Sequence, residues 1–379
     1  MTDVTVAILH PPTGPDAGPL ERILAEARAD LAERHRRAFA RAGASHVHVA
    51  SDPPGEHGSF GARLRTLAAG LDGGGLVVLG SGAVPLLSGA DRRRFVATAA
   101  STSPASLANN RYSADIVAIA CARSVLLGSG GRAAVPDLAT DNALPRWLAE
   151  SAGVPVADLA SHWRTGVDID GPLDLLLLGG SWTDPLPNDL AAPVRERLRA
   201  VRRLVADPRG ELVVAGRISL DSLRWLARHG AARTRALVEE RGLRTGVKGQ
   251  RAPASVLGAL LERDGPEALG TILSRLGDAA IVDSRVLMAH RHGPEEASWP
   301  TPEDRYASDL LLHARIADPW LRALTRSAAE APIPVVLGAH TLVGPGLRLA
   351  LTTRLDPASV DDARRAGGLG GSRYGRSRP

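Results

Sequence analysis

Asp168 and Asp170 are the residues of this chain best fitted by type and spacing to do chemistry. Carboxylates at i and i+2 of an extended segment project to the same face, so both can reach one pocket. Mg²⁺ asks for one or two such carboxylates together with substrate phosphates and water. Gly171 and Pro172 then open a helix, with proline suited to its first turn and Asp174 to its positive end. The same residues therefore also read as a polar strand end followed by a helix cap.

Two further groups carry usable side chains. Asn109, Asn110 and Arg111 precede an apolar run; their amides can read a base or sugar and the guanidinium can clamp a phosphate. The commoner role of asparagine is to bond its own backbone in a turn, and Asp141-Asn142 reads mainly as a helix cap. In the second half, Asp283 and Arg285 close a strand, His290 and His292 follow on a short helix, Asp304 and Asp309 flank Tyr306, and His340 follows the apolar run 333–337. A metal site would need Asp283, His290, Asp309 and His340 to converge, whereas buried aspartate–arginine pairs account for the acids equally well.

The elements that must position these residues alternate. Strands are expected at 4–9, 47–50, 76–79 and 115–120, and helices at 20–42, 61–70, 88–100 and 141–152. That order gives an α/β fold with a mostly parallel sheet and helices on both faces. The run 76–79 is aliphatic, as a central strand requires, and Gly80 and Gly82 end it where a ligand would meet backbone. No carboxylate stands between Gly80 and Pro85. The first strand feeds a second such loop, through Pro11, Pro12 and Gly14.

After a Gly- and Pro-rich stretch the pattern restarts, with strands expected at 211–215, 279–283 and 333–337 and helices at 220–229, 253–262, 266–276 and 319–331. The expected organisation is a first α/β domain over 1–180, a connector over 181–207 with an arginine-rich helix, a second α/β domain over 208–352, and a tail over 353–379, disordered from 367.

Composition narrows the function. At 379 residues the chain is long enough for two independent cores. Its net charge is +5, but the basic residues are dispersed among 41 acids and aromatics make up only 3%, which argues against nucleic-acid binding. A single cysteine, Cys121, excludes an intramolecular disulfide or a cysteine-rich zinc site. The N-terminus has no basic leader, and no uncharged run reaches the ~18 residues that span a bilayer. A soluble, cytoplasmic protein is expected.

Three segments carry a resemblance. Gly166-Val167-Asp168-Ile169-Asp170-Gly171-Pro172-Leu173-Asp174-Leu175 resembles the D-x-D-T-P-E-D-L signature of nucleotidyltransferases of the nucleotide-diphospho-sugar transferase (GT-A) fold, the molybdenum-cofactor and phospholactate guanylyltransferases among them. Gly58 to Leu64 resembles their G-x-L-G-x-R-L helix start, and Leu79 to Leu87 their L-G-x-D-x-P-x-L strand and loop. Order and spacing agree over residues 4–178. The chain departs from the pattern at Gly82 and Ala83, where the family offers a metal-binding aspartate, and at residues 10–14, which hold no lysine or arginine. The resemblance implies Mg²⁺ on Asp170 and then Asp168, with the backbone of residues 10–14 lining a base or phosphate pocket; Gly14, Gly80, Gly82, Asn109, Asn110 and Arg111 are then the expected nucleotide-binding residues. It also implies transfer of a nucleotidyl group to a phosphorylated small molecule. The lost loop carboxylate leaves a catalytically impaired binding or regulatory module as the alternative.

Overall fold

The computed structural model describes residues 2–51, 58–129, 131, 133–240 and 252–352; the tail lies outside them. The first half runs β1 (Val4–Leu9), α1 (Pro19–Arg41), β2 (His46–Ala50), α2 (Phe60–Ala69), β3 (Gly75–Gly80), α3 (Gly89–Ala99), β4 (Ser106–Ala108), β5 (Ile116–Ile119), α4 (Ala122–Leu127), α5 (Leu144–Glu150), β6 (Val156–Asp158) and α6 (Pro172–Leu178). Its sheet has the order β2-β1-β3-β5-β4-β6. All pairings are parallel except those of β5, which is antiparallel to both β3 and β4. Only residues 109–115 separate β4 from β5, too few for the crossover a parallel pair needs, so the chain turns back. Leu76 to Leu79 are buried on both faces, as their aliphatic run predicts.

The second half runs α7 (Asn188–Val205), β7 (Glu211–Gly216), α8 (Leu220–His229), β8 (Arg233–Val238), α9 (Val256–Asp264), α10 (Leu269–Ser274), β9 (Ala279–Asp283), α11 (Ser284–His292), α12 (Pro302–Asp309), α13 (Pro319–Ala329), β10 (Val335–Gly338), α14 (His340–Val343) and α15 (Leu347–Leu351). Its four strands are all parallel, in the order β10-β9-β7-β8. Helix α7, expected as a connector, lies against β7, β9 and β10. It buries Leu190, Ala191, Val194, Leu198, Val201 and Val205 as an amphipathic covering helix, and its half-buried Arg197 and Arg202 donate to the carbonyls of Ala329 and Ala350.

Both sheets contain a reversal of strand order. In the first, the chain leaves β1 for β2 on one side and returns to β3 on the other; in the second it leaves β7 for β8 and returns to β9. Outside the carboxyl ends of such strand pairs an open α/β sheet forms a crevice that helices do not fill. Two such crevices exist here, at β1/β3 and at β7/β9.

The halves share a core. One apolar cluster joins Leu20, Leu24, Ala27 and Leu31 of α1 to residues 167–178, to α7 and to the second sheet. At the seam the Glu303 carboxylate from α12 accepts from the N–H groups of Leu20 (2.9 Å) and Glu21 (3.1 Å), capping the positive end of α1. Gly18 makes room, since a Cβ there would lie 2.2 Å from Glu303 Oε2. Glu303→Ala is expected to destabilise the fold by about 1–2 kcal/mol through this lost cap. An unchanged midpoint in urea unfolding would show that the contact contributes nothing.

Candidate functional site

The two crevices open onto one cavity of about 500 Å³. The first half contributes Gly80 to Ala83 from the loop after β3, together with Asp115, Asp141, Asp168 and Asp170. The second half faces them with Arg217, Arg285, Arg305, Tyr306 and His340. The chain thus builds a carboxylate wall on one side and a guanidinium wall on the other. Among the described residues no helix is long and apolar enough to cross a membrane.

The carboxylate wall is assembled by backbone contacts around the 80–85 loop. Ile169 N–H donates to Gly82 O at 2.9 Å, and Val84 N–H donates to Asp168 Oδ1 at 3.2 Å. Val84 holds a left-handed φ of 45°, a strained conformation for a β-branched residue that these bonds keep in place. Arg28 Nε donates to Ile169 O at 2.9 Å, with its Nη2 3.8 Å from Asp170 Oδ1. A Cβ at Gly82 would lie 2.9 Å from both Arg28 Nε and Ile169 O. Gly82 is therefore required by the approach of the 168–170 segment, and an aspartate there would not fit without displacing that segment. Gly82→Ala is expected to destabilise by about 1–3 kcal/mol, as overpacking does; wild-type stability in a thermal melt would refute this.

Asp115 supplies a carboxylate beside the loop that lacks one. It immediately precedes β5, whose Ile116 pairs with Leu79, and Gly80 N–H donates to Asp115 O at 3.3 Å. Asn109 holds Asp115 rather than a ligand. Its Nδ2 donates to Asp115 Oδ2 (2.7 Å) and Thr165 O (2.8 Å), and its Oδ1 accepts from Asp115 N–H (2.9 Å). Asn110 accepts from Tyr112 N–H, the turn role of asparagine, and Arg111 does not line the cavity. The base-reading role expected of residues 109–111 is thus replaced by a structural one for both asparagines. Asn109→Ala is expected to lower stability by about 2–3 kcal/mol, because it strands buried donors and acceptors; a loss below about 0.5 kcal/mol in urea unfolding would contradict the brace.

Electrostatics in this wall are unbalanced. Among the described residues no basic side chain forms an ion pair with Asp115, Asp141 or Asp168. Burial, then the neighbouring Asp141 charge, pushes the Asp115 carboxyl up to about 7. Burial and the Asp115 and Asp170 charges raise Asp168 well above the usual range. Asp141 is raised to about 6, mainly by burial. Asp174 is turned away from this role: its Oδ2 accepts from the N–H groups of Asp170 and Gly171, both at 2.8 Å, at the start of α6.

In the opposite wall most acids and bases are paired. Asp283 grips Arg217 through both oxygens, at 2.6 and 3.1 Å. Asp309 grips Arg285 at 2.7 and 2.6 Å, with both side chains buried. His340 lines the cavity with its imidazole held down to about 4, by burial first and Arg217 second, and is neutral at pH 7. His290 stands apart. Its Nδ1 accepts from Ser255 N–H and its Nε2 lies 3.3 Å from Glu262, so Asp283, His290, Asp309 and His340 do not converge. Among the described residues no three His, Cys, Asp or Glu side chains stand in metal-holding geometry.

Two smaller spaces adjoin the cavity. A largely apolar recess of about 270 Å³ shares Leu9, Gly80, Asp115 and Asp141 with it and is walled by Phe60, Val78 and Val117. Gly14 lies in a cleft of about 160 Å³ that meets the cavity at Pro11, Arg28, Ser81 and Tyr306. No family model matches the chain, and no curated protein or solved structure matches it.

Sequence reasoning singled out Asp168, Asp170, Gly80, Gly82, Arg285 and His340, and all six line the cavity. It missed Asp115 as a site residue, read Asp141 as a cap, and left Arg28, Arg217 and Arg305 without a role. The one available signal was positional: Arg217, like Arg285 and His340, follows the carboxyl end of a strand.

Proposed function

We propose that the protein binds a nucleoside triphosphate with Mg²⁺ at the β1/β3 crevice and transfers its nucleotidyl group to a phosphorylated small molecule. The finer assignment to the GT-A type of nucleotidyltransferase fold belongs to this reading and rests on the three segment resemblances. The observation that carries the function is the group of carboxylates, Asp115, Asp168 and Asp170, around a loop of close-packed backbone at a strand-order reversal. Their oxygens are the hard donors Mg²⁺ prefers, and the raised proton affinity of Asp115 and Asp168 marks a place where added positive charge is favourable. Mg²⁺ needs only one or two of them, because substrate phosphates and water complete its shell. When bound, the ion would neutralise phosphate charge.

The chain's own residues do the rest. The apolar recess beside Phe60 suits a base, and its junction with the cavity directs the phosphates toward Asp115 and Asp168. Arg28 holds the 168–170 segment in register with the loop. An acceptor phosphate oxygen then attacks the α-phosphorus; the new P–O bond forms as the bond to the β-phosphate breaks, and pyrophosphate leaves. Such transfer depends on positioning and charge neutralisation more than on proton movement.

Gly82 favours a second reading, a nucleotide-binding module that regulates without reacting. Calorimetric titration of GTP, CTP, ATP and UTP with and without Mg²⁺ separates the two. The transferase reading expects one nucleotide to bind more tightly with Mg²⁺ and Asp170→Asn to weaken that gain about tenfold or more, the effect of a lost charged contact. Nucleotide binding indifferent to both Mg²⁺ and Asp170→Asn would leave the regulatory module.

A further inference from the structure

The β7/β9 crevice is a second ligand site by the same topological rule as the first, and its side chains differ in kind. Gly216 ends β7 at a φ of 128°, where a Cβ would lie 2.3 Å from Asp283 Cβ. Only glycine lets the strand end pass so close, and it delivers Arg217 onto the Asp283 carboxylate. A guanidinium carries five N–H donors. Asp283 engages Nε and Nη2, and among the described residues Nη1 of Arg217 makes no hydrogen bond. The clamp therefore fixes the plane of the guanidinium and leaves donors over.

Arg305, in the same cavity wall, has the same surplus. Arg305 pairs with Glu296 through Nη1 at 3.2 Å, while its Nε is buried with no hydrogen-bond partner. Arg217, Arg305, His340 and Tyr306 all line the cavity. Buried donors left unmade are expensive, and fixed guanidinium forks match the oxygens of phosphate and carboxylate.

We propose that the β7/β9 crevice is an oxyanion site, in which Arg217 and Arg305 bind the phosphate or carboxylate of the second substrate. That this substrate is the acceptor rests on the nucleotidyl-transfer reading; the anion site itself does not. The two walls then divide the labour: the first half holds the nucleotide, and the second presents an anionic small molecule to it across the cavity.

Calorimetric titration of the full chain with inorganic phosphate, without Mg²⁺, tests the site. Arg217→Gln alone would leave Asp283 buried and unpaired, so the informative variant is Arg217→Gln/Asp283→Asn, checked for folding by thermal melt. Arg305→Gln is the second variant, for use whether or not the first folds. Wild type is expected to bind phosphate, and each folded variant at least about tenfold more weakly, the loss of a charge-assisted hydrogen bond. No binding by wild type, or equal binding by a folded variant, overturns the proposal. Competition by malonate would extend the site to carboxylates, and its absence would restrict it to phosphates; both uphold it. Titration of the same variants with Mg²⁺ and nucleotide keeps the two readings apart. If phosphate binding depends on Arg217 and no nucleotide binds, the anion site stands and the acceptor role falls.

Discussion

Asp115→Asn is expected to raise the melting temperature at pH 8 while removing Mg²⁺-dependent nucleotide binding. The folded chain holds the Asp115 proton more tightly than the unfolded chain, with the carboxyl moved from 3.8 to about 7. A group shifted in that direction contributes stability that is fully present below about pH 4 and lost as pH climbs through 7. Asp141, raised to about 6, and Asp174, raised to about 8, act with the same sign. Stability carried by these carboxyls therefore erodes between about pH 4 and pH 8. Asparagine keeps an acceptor for Asn109 and has no charge to bury, so the melting temperature of the variant should vary less between pH 5 and pH 8 than that of wild type. Parallel pH profiles would show that Asp115 is not a strained carboxyl. Mg²⁺ should raise the wild-type melting temperature at pH 8, because a ligand of the folded state stabilises it, and should raise that of the variant less. Gain of stability with loss of binding is the usual signature of a residue retained for function.

Asp309→Ala is expected to destabilise the fold more than loss of the Glu303 cap, the Gly82 approach or the Asn109 brace. Arg285 and Asp309 have side-chain exposures of 7% and 2% and meet through two short hydrogen bonds. The Asp309 carboxylate and the nearby Asp283 keep Arg285 firmly protonated despite its burial. Removing the carboxylate leaves a guanidinium without its counter-ion in a place water reaches poorly, at about 3–5 kcal/mol. Replacing both partners, as in Arg285→Met/Asp309→Leu, should recover most of that loss, since an apolar pair of similar volume avoids both desolvation penalties. Urea unfolding of the two single variants and the double closes the cycle. A loss below about 1 kcal/mol for Asp309→Ala, the level of an exposed pair, would mean the pair is solvated and structurally dispensable.

Much of the fold is legible in the chain because its signals are local. Val4–Leu9, Gly75–Gly80, Glu211–Gly216 and Ala279–Asp283 are mainly aliphatic runs, uncharged except at the terminal Glu211 and Asp283, and each is a central strand. Leu220–His229 begins after a capping Ser219 and ends at Gly230, as its sequence marks. The strands Ser106–Ala108 and Val156–Asp158 are three residues each, too short to show a period. Arg233–Val238 is an edge strand, largely exposed, and its arginines hide it. The reversal of β5 is a matter of connection length and partner choice rather than composition.

The site divides in the same way. Asp168 and Asp170 stand out in the sequence because i, i+2 spacing before Gly-Pro is itself a geometric statement, and the glycines of the 80–82 loop mark backbone that something must approach closely. Asp115 and Asp141 are single acids beside ordinary elements, and only strand pairing brings Asp115 next to Gly80. Arg217 belongs to the site because Gly216 turns it onto Asp283, a contact 66 residues away in sequence. The sequence by itself determined an α/β chain with two sheets and a pair of aspartates at a strand end. Only the tertiary structure decided that the carboxyl ends of both sheets face one cavity, because that follows from a shared core and a capped helix joining residues nearly 300 positions apart. The loop after β3, whose lack of a carboxylate weighed against chemistry, lies where the fold brings Asp115 and Asp168 to it from elsewhere in the chain.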